Sequence, residues 1–149
     1  MKPGSLLIPA LSALLITSTL VIASCSKNSS GKPTLKLESI SSTVAVNDSM
    51  RALFKFTSGK ALSNGTFWSI RTRINQLPAT DSSGQDTIFL QIPSFSASSG
   101  EMSFSLPWLG YLAETATQND TFVFKFFVQT PDSVSSDTIT SPQVVVLYQ

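Results

Sequence analysis

From Thr34 onward apolar residues recur at every second position, and this periodicity constrains the fold more than any other feature of the chain. A period of two is that of a strand with one face buried, whereas a helix repeats every 3.6 residues. Thr34–Ile40 sets Leu35 and Leu37 against Lys36 and Glu38. Met50–Thr57 turns Met50, Ala52, Phe54 and Phe56 inward and Arg51, Leu53 and Lys55 outward. In Thr66–Gln76, the preference of charge for water puts Trp68, Ile70, Thr72 and Ile74 inside and Arg71 and Arg73 outside. Thr87–Ile92 offers Ile88, Leu90 and Ile92, and Glu101–Leu106 offers Met102, Phe104 and Leu106. Thr121–Gln129 offers Phe122, Phe124, Phe126 and Val128, and Thr138–Tyr148 closes the chain. Turn formers separate these runs at Asn47-Asp48, Asn64-Gly65, Ser99-Gly100, Asn119-Asp120 and Pro131-Asp132. About seven short strands in this pattern predict an all-β fold, a two-sheet antiparallel sandwich over residues 34–149.

The first 24 residues obey a different rule. Lys2 supplies a positive start, and the 18 residues Leu6–Ala23 are mostly apolar. Small residues precede Cys25 and no charged cluster follows it at once, the layout of a removable helical signal segment rather than a membrane span. Ile22-Ala23-Ser24-Cys25 resembles the lipobox of bacterial lipoproteins. That resemblance implies cleavage before Cys25, a diacylglycerol thioether on its sulfur and an acyl group on the new amino terminus. Two or three acyl chains anchor stably where one is reversible. Ser26 stands where inner-membrane lipoproteins of gram-negative bacteria often carry Asp, so the resemblance points to the outer membrane. Residues 25–33 then form a lipidated cysteine and a polar, flexible tether.

The domain itself resembles immunoglobulin-like and fibronectin-III-like sandwiches. Trp68 falls on the third predicted strand, where immunoglobulin domains bury a tryptophan. Their inter-sheet disulfide is missing, and Phe54 and Phe126 stand on the strands that would carry it. The stretch Phe56–Trp68 and the ending Ser136–Val146 are similar to immunoglobulin-like lipoproteins of polysaccharide-utilising gram-negative bacteria. In those relatives the first stretch is often acidic and holds calcium. Here Ser58 and Lys60 occupy the expected carboxylate positions, so no metal is expected.

Composition narrows function by exclusion. The chain has one cysteine and no histidine, so an internal disulfide is impossible and the commonest metal ligand and general base are lacking. Ten Lys and Arg, less Lys2 in the leader, leave nine against nine Asp and Glu, which gives no basic field for nucleic acid. The spacings Ser24-x-x-Lys27 and Ser29-x-x-Lys32 match a nucleophile pair but lie at the cleavage site and in the tether, where nothing positions them. The acids fall mostly in turns and at strand ends, so no catalytic residue and no cofactor is expected. Asp48-Ser49-Met50, Asp86-Thr87-Ile88, Asp132-Ser133-Val134 and Asp137-Thr138-Ile139 resemble a bacterial O-glycosylation pattern, but a turn that ends where a strand begins accounts for them better. Trp108 and Tyr111 fall between strands, where their rings could stack on a sugar or else plug the end of the core. The expected function is a membrane-anchored, non-catalytic envelope module that binds a partner protein or a glycan. A ligand-free structural spacer is the second expectation.

Overall fold

The computed structural model describes residues 32–58, 62–75, 85–94, 96–112 and 118–148. Its regular structure is almost entirely nine strands: β1 (Thr34–Ile40), β2 (Thr43–Val44), β3 (Ser49–Thr57), β4 (Thr66–Arg73), β5 (Gln85–Gln91), β6 (Ser99–Pro107), β7 (Asp120–Gln129), β8 (Ile139–Thr140) and β9 (Val144–Val146). They form two facing sheets. The smaller has the order β1-β3-β6; the larger has the order β2-β9-β7-β4-β5, with β8 also paired to β7. The all-β, two-sheet expectation is met, with two differences. One pair, β2 with β9, is parallel rather than antiparallel. There are also nine strands instead of about seven, because the short β2 forms and the last run splits into β8 and β9.

That split has a local cause. Pro142 has no N–H for a ladder. At the break the Ser141 hydroxyl accepts from the Phe124 N–H at 2.9 Å, while the Ser141 N–H donates to the Phe124 carbonyl at 2.8 Å. Ser136 repeats the device against Val128, at 3.0 and 2.8 Å. Both serines are buried, so their hydroxyls satisfy backbone donors that a bent chain would otherwise leave dry.

The core is where the two inner faces meet. Met50, Ala52, Phe54 and Phe56 of β3 are buried, as are Phe122, Phe124, Phe126 and Val128 of β7. Phe54 and Phe126 touch edge to face, their ring centres 4.9 Å apart, and bridge the sheets where a disulfide is missing. Asn64 takes a positive φ of 60°, and a side chain on Gly65 would collide with the Gln129 carbonyl, which fixes Asn-Gly as the entry to β4.

β4 corrects the expected phase. Phe67, Ser69, Arg71 and Arg73 are buried, Trp68 and Ile70 are only half-buried on the outer face, and Ile74 is exposed. Trp68 is therefore not the core tryptophan that the immunoglobulin resemblance implied. The arginines go inside because partners meet them there. Arg71 Nη2 lies 3.5 Å from Asp86 Oδ2, and Arg73 Nε lies 3.6 Å from the buried Asp120 Oδ1. Both guanidinium carbons sit over the Phe122 ring, at 5.0 and 5.8 Å from its centre. Burial pushes the Arg71 pKa down, and Asp86 opposes that shift most.

Candidate functional site

A cleft of about 400 Å³ opens between the free edges of the two sheets, β5 on one wall and β6 on the other. Its existence follows from the strand count. Three strands cannot cover the inner face of a wider sheet, so the inward side chains of β5 overhang. Ile92 is buried and Ile88 half-buried, but Leu90 is 47 % exposed, short of the fully inward place its phase predicted. Phe56, Phe67 and Phe104 form the floor, and Met102 and Leu90 form the sides. The volume is within the range of small-ligand pockets, and the lining is mainly apolar. Gln91, Ser99, Glu101 and Ser103 supply its polar lining, and Glu101 lies 3.8 Å from Lys55. Among the described residues no three Asp, Glu, Cys or His come together as metal ligands.

The outer face of the larger sheet carries a second feature. Trp68 stacks on Phe127, with centres 5.6 Å apart and planes 7° apart, and meets Phe89 on its other side at 5.4 Å. These are cross-strand neighbours in register on β7, β4 and β5. The row ends at Phe89, which is 64 % exposed.

Trp108 and Tyr111 lie at the other end of the sandwich, in the irregular segment Trp108–Leu112 that follows β6. Leu109 is extended there and Gly110 takes a φ of +82°, so neighbouring side chains diverge. Trp108 is half-buried against the core, and its indole N–H donates to the Leu147 carbonyl at 2.9 Å. Leu112 is fully buried, whereas Tyr111 is 49 % and Leu109 73 % exposed. The structure thus separates the two candidate rings and leaves Tyr111 the more open.

Ile22, Ala23, Ser24 and Cys25, with residues 1–31 as a whole, lie outside the described residues, as do Lys60 and Asp81. Ser58 is buried, and its N–H donates to the Ser98 carbonyl at 2.8 Å. In two of the four Asp-Ser/Thr pairs the aspartate caps the next residue: Asp48 Oδ1 accepts from Ser49 N–H and Asp86 Oδ1 from Thr87 N–H, each at 2.7 Å, whereas Ser133 N–H donates to the Thr130 carbonyl at 2.9 Å.

No protein-family profile matches the chain. No curated protein matches it either. Among solved structures it is similar to the sporulation control protein Spo0M from Bacillus subtilis, at 13 % identity and a TM-score of 0.30. The alignment covers 80 % of this chain and 50 % of that one, so the chain spans about half the length of the structure it matches. A likeness of that size carries no argument about activity.

The cleft is not legible in the sequence, because it depends on which strand ends up at an edge and periodicity reports faces rather than neighbours. Phe67, Phe89 and Phe127 do stand out of phase with the core sets expected of their strands, which leaves a choice between exposed partner surface and covered core; Phe67 goes to the core, whereas Phe89 is exposed and Phe127 half-buried on the outer face.

Proposed function

We propose that this chain is a lipid-anchored protein of the bacterial envelope, held at the outer membrane through Cys25, and that its sandwich is a non-catalytic binding module for a partner protein or a glycan. One observation carries the anchoring: the only cysteine of the chain follows Ile22-Ala23-Ser24 at the end of an apolar run and precedes the first strand, Thr34, by nine residues. Nine residues span at most about 30 Å, so the tether would hold the domain close to the bilayer. Among the described residues no helix is long and apolar enough to cross a membrane.

Binding rather than spacing is favoured by the cleft, since a spacer needs no apolar opening. The cleft also lies at the tether end. Thr34 pairs with Thr57, Thr57 pairs with Ser99, and Ser99 lines the cleft. Tyr111 sits a whole strand length away, roughly 27 Å along β6.

Substituting Cys25→Ala tests the anchor. The native protein should fractionate with membranes and have an intact mass that lacks residues 1–24 and includes the lipid. The variant should keep its leader and gain no lipid mass. A native protein with an unmodified sulfur and its leader still attached would overturn the reading.

A further inference from the structure

We infer that a second copy of this chain docks along the free edge of β5, antiparallel and centred on Phe89. Folded proteins protect sheet edges with charge, proline, bulges or shortness. Among the described residues three of the four sheet edges are protected. β1 has Lys36, Glu38 and a bulge between Leu37 and Ser39; β6 ends at Pro107; β2 is two residues long. β5 pairs with β4 in unbroken register over seven residues and contains no proline, lysine or arginine. Its only charge, Asp86, is turned back to Arg71 of its own sheet. The Ile92 N–H points to β4, where it meets the Gly65 carbonyl at 2.8 Å. By alternation Gln85, Thr87, Phe89 and Gln91 direct their backbone groups away from the sheet.

Among registers that centre on a residue whose backbone groups face outward, charge and proline favour the one centred on Phe89. Centred on Phe89, Thr87 faces Gln91 of the second copy, and each Asp86 faces the other copy's Ile92. The two carboxylates then stand about 20 Å apart along the strands. Centring on Thr87 would bring them within about 7 Å. Centring on Gln91 would set Phe89 opposite Pro93, which has no N–H to give. In the Phe89 register the row Phe127–Trp68–Phe89 continues into its own copy, and Leu90 meets Ile88 of the second chain at one side of the cleft. Pairing asks Thr87 N–H to leave Asp86 for Gln91 of the second copy. Edge pairing alone buries less than the roughly 800 Å² per partner of a standard stable interface, so the dimer is reversible.

The test uses the full chain extracted in detergent. Sedimentation should show a monomer–dimer equilibrium with a Kd between about 1 μM and 1 mM, and Phe89→Lys should weaken it at least about tenfold. Oxidising the double variant Thr87→Cys, Gln91→Cys should give a covalent dimer on non-reducing gels, since opposed residues of this kind lie about 5.5 Å apart at Cα, within disulfide reach. Thr87→Cys alone, which shares Cys25 with every variant, should give none. A wild-type monomer throughout that range, a dimer indifferent to Phe89→Lys, or equal cross-linking of the single and double variants would overturn the inference. The sedimentation readouts do not depend on the lipid, and wild type oxidised in parallel reports any cross-link made through Cys25, so the anchor and the dimer fail separately.

Discussion

Phe67 and Arg73 share the inward face of β4, six residues apart, and both are at least nine-tenths buried. Around Phe67 the neighbours are rings. Phe54 lies 5.3 Å away, Phe104 5.2 Å and Phe126 5.8 Å, so the two sheets meet through aromatic edges and faces. Around Arg73 the neighbours are Asp120, the Phe122 ring and, one inward position back, Arg71 with Asp86. Asp86 is the register partner of Arg71 on β5, while Asp120 lies two residues before Phe122, the register partner of Arg73 on β7. A single strand can thus carry an apolar and an ionic interior when its neighbours supply the matching groups in register. The apolar end draws its stability from area removed from water. The ionic end must also offset the cost of taking charge out of water, which makes it sensitive to loss of either partner.

Phe54→Ala should have the largest effect, a loss of about 3–5 kcal/mol, because it opens a cavity beside the Phe67 and Phe126 rings. Urea unfolding of the full chain measures it, and a loss under ~1 kcal/mol would mean the aromatic end is not the main support. Asp120→Ala should cost nearly as much, about 3 kcal/mol, by leaving Arg73 buried beside an apolar gap. Arg73→Met combined with Asp120→Leu should recover most of that loss. If the double variant is as unstable as the single one, the ionic end contributes through its own contacts and the contrast with Phe67 falls away. The smallest effect is expected on the surface. The Lys36 ammonium at 2.8 Å holds the Glu38 carboxyl below its ordinary value of 4.5, and Lys55 adds to this. Because the folded value is lowered, the contribution is complete above pH 4.5 and disappears as pH falls through the folded value. Glu38→Gln should therefore destabilise the chain slightly at neutral pH, and the difference should vanish in acid. A gap of constant size at every pH would assign the effect to packing.

Much of the fold could be read from spacing alone. The inward sets of β3 and β7 are those that alternation predicts, and in β6 Phe104 and Leu106 are buried with Met102 beside them. The turn at Asn64-Gly65 falls where expected. Alternation gives β4 the wrong phase because the rule that arginine faces water is a statement about isolated arginine. Asp120 lies 47 positions beyond Arg73, and nothing in β4 itself announces that it will be there. β5 was half read. Its phase is right, but how deeply Leu90 sinks depends on the width of the opposite sheet. The candidate rings illustrate the same limit. Trp108 and Tyr111 look equivalent in sequence, and only the bond to the Leu147 carbonyl and the diverging backbone at Gly110 tell them apart.

The direction in which the chain enters the sandwich has a mechanical side. Residues 32–33 lead into β1 at the end where Thr34 faces Thr57, and β1 then runs along β3 through six register pairs to Ile40. Tension applied from the residues before Thr34 against a load on the far tip acts along β1 rather than across it. Its ladder bonds are perpendicular to that pull, so they are strained together in shear instead of being unzipped one by one. A domain strung this way should yield at a higher force than one whose first strand is peeled from its open end.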